Sequence, residues 1–270
     1  MRTVISHFYN ESYLLPWWLK HHKKMFDYGV MINHGSTDDS VEIIKELAPH
    51  WRVVNSTLTN FNAYLTDFEV MSYEKELPGW KIALNTTEFL LSTVDLEVAE
   101  QFLESEGRIG ASCSGYIIVD NLSITNIKDD LPLVSQLNWG FNDNNVDIDA
   151  QKRIAMNLTS FPARNRFYHK NTVGMYYPGR HTSFHDDSQL RLNDLIIFHY
   201  AFSPWNEKML ERKQQIISKL DLDDLKRGWG MQHTKSTVQL NSYHSLALSI
   251  SDDLMKDVRV AKAINNKKYI

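Results

Sequence analysis

Three short stretches carry the side chains best suited to binding chemistry: Phe8-Tyr9-Asn10-Glu11, Asn33-His34-Gly35-Ser36-Thr37-Asp38 and Asn85-Thr86-Thr87-Glu88. Each follows a short apolar run. Phe8 or Tyr9 can stack on a flat base. Asn10, Glu11, Asn33, His34, Ser36 and Asp38 can bond ribose hydroxyls or base edges. A helix starting after Ser36 offers free backbone amides to an anion. Taken singly, each stretch serves equally well as a helix cap or a turn. Together, at successive strand ends, they suit a nucleoside and its phosphates.

The elements that must position them read as alternating strand and helix, which predicts an α/β sheet. Thr3 to Phe8, Tyr28 to Asn33, Trp51 to Val54 and Trp80 to Leu84 are expected strands. Tyr13 to Phe26 repeats apolar residues at helical spacing, with Pro16 in the first turn. A second helix is expected after Ser36 or Thr37 as cap, with Asp38 and Asp39 in its first turn. Phe68 to Leu77 predicts a third helix. If the strands are parallel, all three polar stretches share the carboxyl edge, where such sheets bind ligands.

The second half is less regular. A strand pair is expected within Arg108 to Val119, and further strands over Asn171 to Tyr177 and Asp194 to Tyr200. Residues 120–165 read as long loops. Trp205 to Leu220 and Ser242 to Lys262 predict amphipathic helices. The expected organisation is a nucleotide-binding domain over 1–204 with a helical extension, 205–270, packed on it.

Composition narrows the partners. The chain has 270 residues, 29 basic and 33 acidic, for a formal charge of −4. That balance argues against a general nucleic-acid coat. The single cysteine, Cys113, excludes an intramolecular disulfide framework and a cysteine-built zinc site. No apolar run is long enough to span a bilayer, which leaves peripheral membrane contact open. The first residues read as a strand and not a signal peptide, so the expected compartment is the cytoplasm. Five Asn-x-Ser/Thr sequons (Asn10, Asn55, Asn85, Asn121, Asn157) are then chance occurrences.

From Ile5 to Ile44 the chain resembles the N-terminal half of a family-2-like glycosyltransferase. The resemblance rests on Phe8-Tyr9-Asn10-Glu11, Leu15-Pro16-Trp17-Trp18-Leu19, His21-His22 and Asn33-His34-Gly35-Ser36-Thr37-Asp38-Asp39-Ser40. It continues at Trp80 to Leu84, the strand before the family's Asp-x-Asp motif. Weaker echoes occur at Tyr168-His169-Lys170, Pro178-Gly179-Arg180-His181 and Phe198-His199-Tyr200. The resemblance implies a GT-A-like fold with a Rossmann-like mixed sheet. It also implies a nucleotide-sugar donor facing Asn10, Glu11 and Asn33 to Asp38, and a glycan or lipid-linked acceptor in surface polysaccharide or glycoconjugate synthesis.

The departure falls at the metal motif. Asn85 and Thr87 stand where two aspartates are expected, and only Glu88 is acidic. Mn²⁺ and Mg²⁺ prefer anionic oxygen ligands, so affinity should drop. Asn85→Asp plus Thr87→Asp is expected to raise it. Three readings stand. The enzyme is metal-independent, with Lys170 and Arg180 neutralising the diphosphate. Or it holds a metal weakly through Asn85, Glu88 and His181. Or it is a silent relative that binds a sugar, nucleotide or partner. Candidate catalytic groups are Asp120, the pair Asp147/Asp149, His181 and His199. His21 and His22 are expected to be structural or surface groups. His185-Asp186-Asp187 reads as a solvated turn. Trp229, flanked by Gly228 and Gly230, suits a sugar face or plain packing.

Overall fold

The computed structural model describes residues 1–120, 126–142 and 164–270. Its centre is one mixed sheet. The strands are β1 (Arg2–Phe8), β2 (Tyr28–Asn33), β3 (Arg52–Asn55), β4 (Trp80–Ala83), β5 (Glu88–Ser92), β6 (Gly110–Val119), β7 (Trp139–Asn142), β8 (Arg166–His169), β9 (Arg191–Phe202) and β10 (Asp252–Asp253). They run in the order β10-β7-β6-β8-β4-β1-β2-β3, and β9 joins β6 to β5. β1 to β4 are parallel neighbours. β8 lies antiparallel between β4 and β6. β6 and β9 therefore point the same way as β4, and β5 points the opposite way. The α/β class with a parallel half is the one expected.

Both faces of the parallel half are covered, which explains its nearly continuous apolar strands. Val4, Met31 and Ile82 face α1 (Leu15–His22) and α2 (Ser40–Leu47) through Leu15, Trp18, Leu19 and Ile44. Ile5, Val30, Ile32 and Ala83 face α3 (Ala63–Glu74) through Val70. α1 begins with Pro16 in its first turn and ends on Lys20, His21 and His22, as its sequence favours. α4 (Leu96–Ser105) and the short α5 (Leu133–Gln136) complete the first part. The later helices are α6 (Glu207–Gln214), continued by a 3₁₀ turn over Gln215–Lys219, then α7 (Leu222–Lys226), α8 (Thr237–Ser249) and α9 (Val258–Ile264). Val260, Ala263, Ile264 and Tyr269 enter the same core as β1 and β4. Residues 205–270 thus share the first part's core.

Several boundaries differ from expectation. Residues 110–119 form one ten-residue strand instead of a pair, buried throughout between β8 and β9. The strand expected at Asn171 to Tyr177 lies earlier, at Arg166–His169; Tyr176 makes only an isolated bridge to Ser183. The third helix starts at Ala63, capped by Asn62 Oδ1 on the Leu65 amide. The helix expected at Trp205 to Leu220 is the shorter α6 plus its 3₁₀ turn. The last helical region is two helices, parted by β10. No helix among the described residues is long and apolar enough to cross a membrane.

Candidate functional site

Strand directions put the carboxyl ends of β1, β2, β4, β6 and β9 on one edge, together with the starts of β5 and β8. The three polar stretches therefore lie along the same rim. The first two are knitted together. Asn10 donates its amide to Ser36 Oγ at 3.0 Å, and its Oδ1 accepts from the Thr37 amide at 2.7 Å. Glu11 N donates to Ser40 Oγ at 2.8 Å, and Ser12 N to Asp38 Oδ2 at 3.0 Å. Asn33 Oδ1 accepts from the Ser36 amide at 2.8 Å. Asn10 has φ +51°, a left-handed conformation that asparagine tolerates better than most residues. Ser36 does not cap α2. Its hydroxyl is taken by the first stretch, and Asp38 accepts from the Ser40 amide at 3.1 Å.

Several expected nucleoside ligands are thus engaged within the protein. Phe8 is core and cannot stack on a ligand. Glu11 binds Arg212 of α6 through two bonds of 2.6 and 2.5 Å. Gln215 donates to the Asn10 carbonyl at 2.7 Å, and Lys219 Nζ lies 5.3 Å from the centroid of the Tyr9 ring. His34 is buried, its ring 5.1 Å from that of His7 and edge-on to Phe61. Burial and the adjacent His7 and Lys219 push its pKa down to about 4. His7 Nε2 lies 3.2 Å from Glu69. Hydrogen bonds from His7, Ser56 and Thr57 outweigh burial and draw the Glu69 pKa down to about 2.

The third stretch is built around arginines. Arg166, at the start of β8, grips Glu88 with Nε at 2.7 Å and Nη2 at 2.5 Å, and both side chains are fully buried. Asn85 N donates to the same carboxylate at 2.8 Å. Arg166 Nη1 also reaches the Gly179 carbonyl at 2.8 Å and His181 Nδ1 at 2.9 Å. Arg164 Nη1 lies 3.0 Å from His181 Nε2. Arg180 pairs with Asp67 of α3 and donates to Asn85 Oδ1 at 2.9 Å. Its φ of +61° is unusual for a side chain of this size and is held by those contacts and by Gly179 N on Asp67 at 2.9 Å. Thr87 is buried, and its carbonyl accepts from Tyr200 N at 2.8 Å.

A divalent ion does not fit these residues. Both Glu88 oxygens are taken, both His181 nitrogens face guanidinium groups, and the Asn85 oxygen is on Arg180. Burial and the Arg166 and Arg164 charges hold the His181 pKa well below its usual value. Among the described residues, no three or more of His, Cys, Asp and Glu are grouped to hold a metal. Glu88 and His181, expected as metal ligands, are here bonded to Arg166 and Arg164 instead.

Lys170 is also corrected. β8 runs antiparallel, so its carboxyl end lies on the opposite rim, where Lys170 pairs with Glu104 at 2.9 Å. At the near end lie Arg164, just before β8, and Arg166, which the sequence reading missed. Asp120 does reach the carboxyl rim, at the end of β6. It accepts from Ser203 Oγ at 2.7 Å and Trp205 N at 2.6 Å, and burial raises its pKa. His199 sits between Glu88 of β5 and Ile117 of β6, with its pKa pushed well down by burial. Asp147 and Asp149 lie outside the described residues.

Other histidines are structural. His22 Nε2 accepts from the Leu90 amide at 3.2 Å, and His21 Nε2 meets the Leu90 carbonyl at 2.6 Å. Asp187 is not a solvated turn residue, since it pairs with Arg108 at 3.0 Å and accepts from the Ile109 amide. Trp229 packs edge-on to Tyr64 at 5.1 Å, with the Arg227 guanidinium 5.5 Å from its ring centroid.

No family model matches the chain, and no curated protein matches it. Similar solved structures include S. aureus TarS 1–349, at TM-score 0.35 and 15% identity, over 99% of this chain and 82% of that one. The same fragment in complex with UDP gives 0.31 and 18%, over 47% and 38%. Glucosyl-3-phosphoglycerate synthase from Mycobacterium tuberculosis, in complex with Mn²⁺, UDP-glucose and phosphoglyceric acid, gives 0.37 and 13%, over 67% and 61%. In its complex with phosphoglyceric acid alone, this chain spans 44% of the synthase's length.

Proposed function

We propose that this chain is a nucleotide-sugar-dependent glycosyltransferase of GT-A-like fold. One observation carries the reading: three polar strand ends converge on the carboxyl rim of a parallel sheet, beside a cluster of basic side chains. The rim is a natural place for a nucleoside, and the basic cluster suits a departing diphosphate. In this reading Tyr9, with Lys219 against its ring, receives the nucleoside, and Arg164 and Lys213 receive the phosphates. Glu11, Asn10, Asn33, Ser36 and Asp38 shape the rim from beneath. Asp120 is the candidate base for an acceptor hydroxyl. Its raised pKa moves it towards the range useful for proton transfer. Tyr64 and Trp229 offer aromatic faces to a glycan or lipid-linked acceptor in surface polysaccharide or glycoconjugate synthesis. A reducing cytoplasm accords with the buried free Cys113.

A second reading has its own support. The carboxylates Glu11, Asp67 and Glu88 are all tied to arginines. Such a site could bind a nucleotide or sugar without turning it over. Thermal-shift measurements with UDP, GDP, CMP and dTDP compounds test the pocket. Donor hydrolysis and transfer assays, with and without Mn²⁺ and chelator, test the chemistry. A nucleotide that binds without turnover favours the silent relative; no stabilisation by any nucleotide removes the transferase reading and leaves the second only its sugar-binding form.

A further inference from the structure

The metal misfit raises the question of which group meets the donor's negative charge. Arg166 is spent on Glu88, Gly179 and His181, and Arg180 on Asp67 and Asn85. Lys213 is different. It lies half-buried on α6, its Nζ 4.8 Å from the Phe202 ring centroid and 5.9 Å from that of Trp205. No hydrogen bond or ion pair ties its Nζ to any described residue; these ring contacts are what hold it. Trp205 is fixed by stacking on His244 at 4.7 Å and by its amide on Asp120.

We propose that Lys213 is the ligand for the donor's diphosphate, taking the place of a divalent cation. This rests on the nucleotide-sugar reading of the same rim. Most groups around Lys213 are positive or neutral: Arg212 on its own helix, Arg164 before β8, His199 on β9, His233 and His244. Two carboxylates lie nearby: Glu11 is paired with Arg212, and Asp120 keeps its charge but turns its oxygens to Ser203 Oγ and Trp205 N. His199 Nδ1 is buried with no partner among the described residues. A half-buried ammonium with cationic neighbours and no carboxylate partner of its own among the described residues is favoured by an incoming anion. Burial, with Arg212 and Arg164, pushes the Lys213 pKa down to about 7. An anion would restore the ammonium, so binding takes up a proton near neutrality.

The test is calorimetric titration of inorganic pyrophosphate, then of UDP, GDP, CMP and dTDP, into the full chain with excess EDTA. Pyrophosphate is expected to bind without metal. Lys213→Met should weaken it about tenfold or more, the loss expected for a charged hydrogen bond, and Lys213→Arg should retain most of it. At mildly alkaline pH the wild-type heat should vary with buffer ionisation enthalpy, reporting proton uptake. That readout does not depend on any variant folding. Equal pyrophosphate affinity in Lys213→Met, binding only after Mn²⁺ is added, or absence of proton uptake each overturns the proposal. Nucleotides that bind wild type and Lys213→Met alike sink the Lys213 role and leave the nucleotide reading standing. Lys213-dependent pyrophosphate binding with no gain from any nucleoside does the reverse.

Discussion

Arg166→Met should be among the most damaging single changes in this protein, and the reason bears directly on the metal question. Arg166 and Glu88 are both 0% exposed and joined by two charged bonds. Removing the guanidinium leaves the Glu88 carboxylate buried, with the Asn85 amide as its remaining donor. Breaking one side of a buried pair costs about 3–5 kcal/mol. Spread over a chain of this size, each kcal/mol moves the melting temperature by ~2–4 °C. A drop of at least about 6 °C is expected on those two figures. Glu88→Gln should cost a comparable amount. The double variant Arg166→Met/Glu88→Leu should recover part of the loss, because no orphaned charge remains. The assay is a double-mutant cycle in urea, repeated with Mn²⁺. Single-variant costs below about 1 kcal/mol, as for a surface pair, would refute the buried-pair account. So would a Mn²⁺-induced stabilisation of the wild type that vanishes in Glu88→Gln.

Asn85→Asp should tighten the contact with Arg180 and leave Mn²⁺ affinity unchanged in calorimetry, because its oxygen already faces a guanidinium; a gain in metal affinity would restore the expectation drawn from sequence. Glu11→Ala and Arg212→Ala should weaken nucleotide binding alike, and the double variant should be no worse than either, since each breaks the same tie. His21 is held neutral, its pKa pushed down to about 4 by burial. The unfolded chain therefore binds the extra proton as pH falls, and stability should decline from about pH 6.5 towards 4; His21→Gln should flatten that limb in pH-dependent melts. Cys113 is buried, and its thiol pKa is raised by burial, so thiol reagents should label it only on unfolding.

The half of the fold built on local signals was legible in the sequence. Apolar runs ending in turn residues marked β1, β2 and β4, and Pro16 marked the start of α1. What failed was direction. Nothing near Tyr168-His169-Lys170 shows that β8 runs antiparallel, and that reversal moves Lys170 to the far rim while bringing Arg164 and Arg166 to the near one. β5 was hidden because its first residue, Glu88, reads as a polar loop end, whereas its charge is matched by an arginine 78 positions later. Similarly, Ser36 looked like a cap and is a cross-link. Buried arginines and long-range pairs leave no periodic trace, so Arg166, Asp67 and Lys213 had no local signal to find.

The tie between Glu11 and Arg212, with Gln215 on the Asn10 carbonyl, joins the first dozen residues to a segment two hundred positions on. During synthesis, the N-terminal motif therefore leaves the ribosome long before its partners exist. Until α6 has emerged, the carboxylate of Glu11 has only water to face. Assembly of this rim is a late event, set by closure of a very long loop, and a nascent chain halted before α6 would carry an unfinished rim.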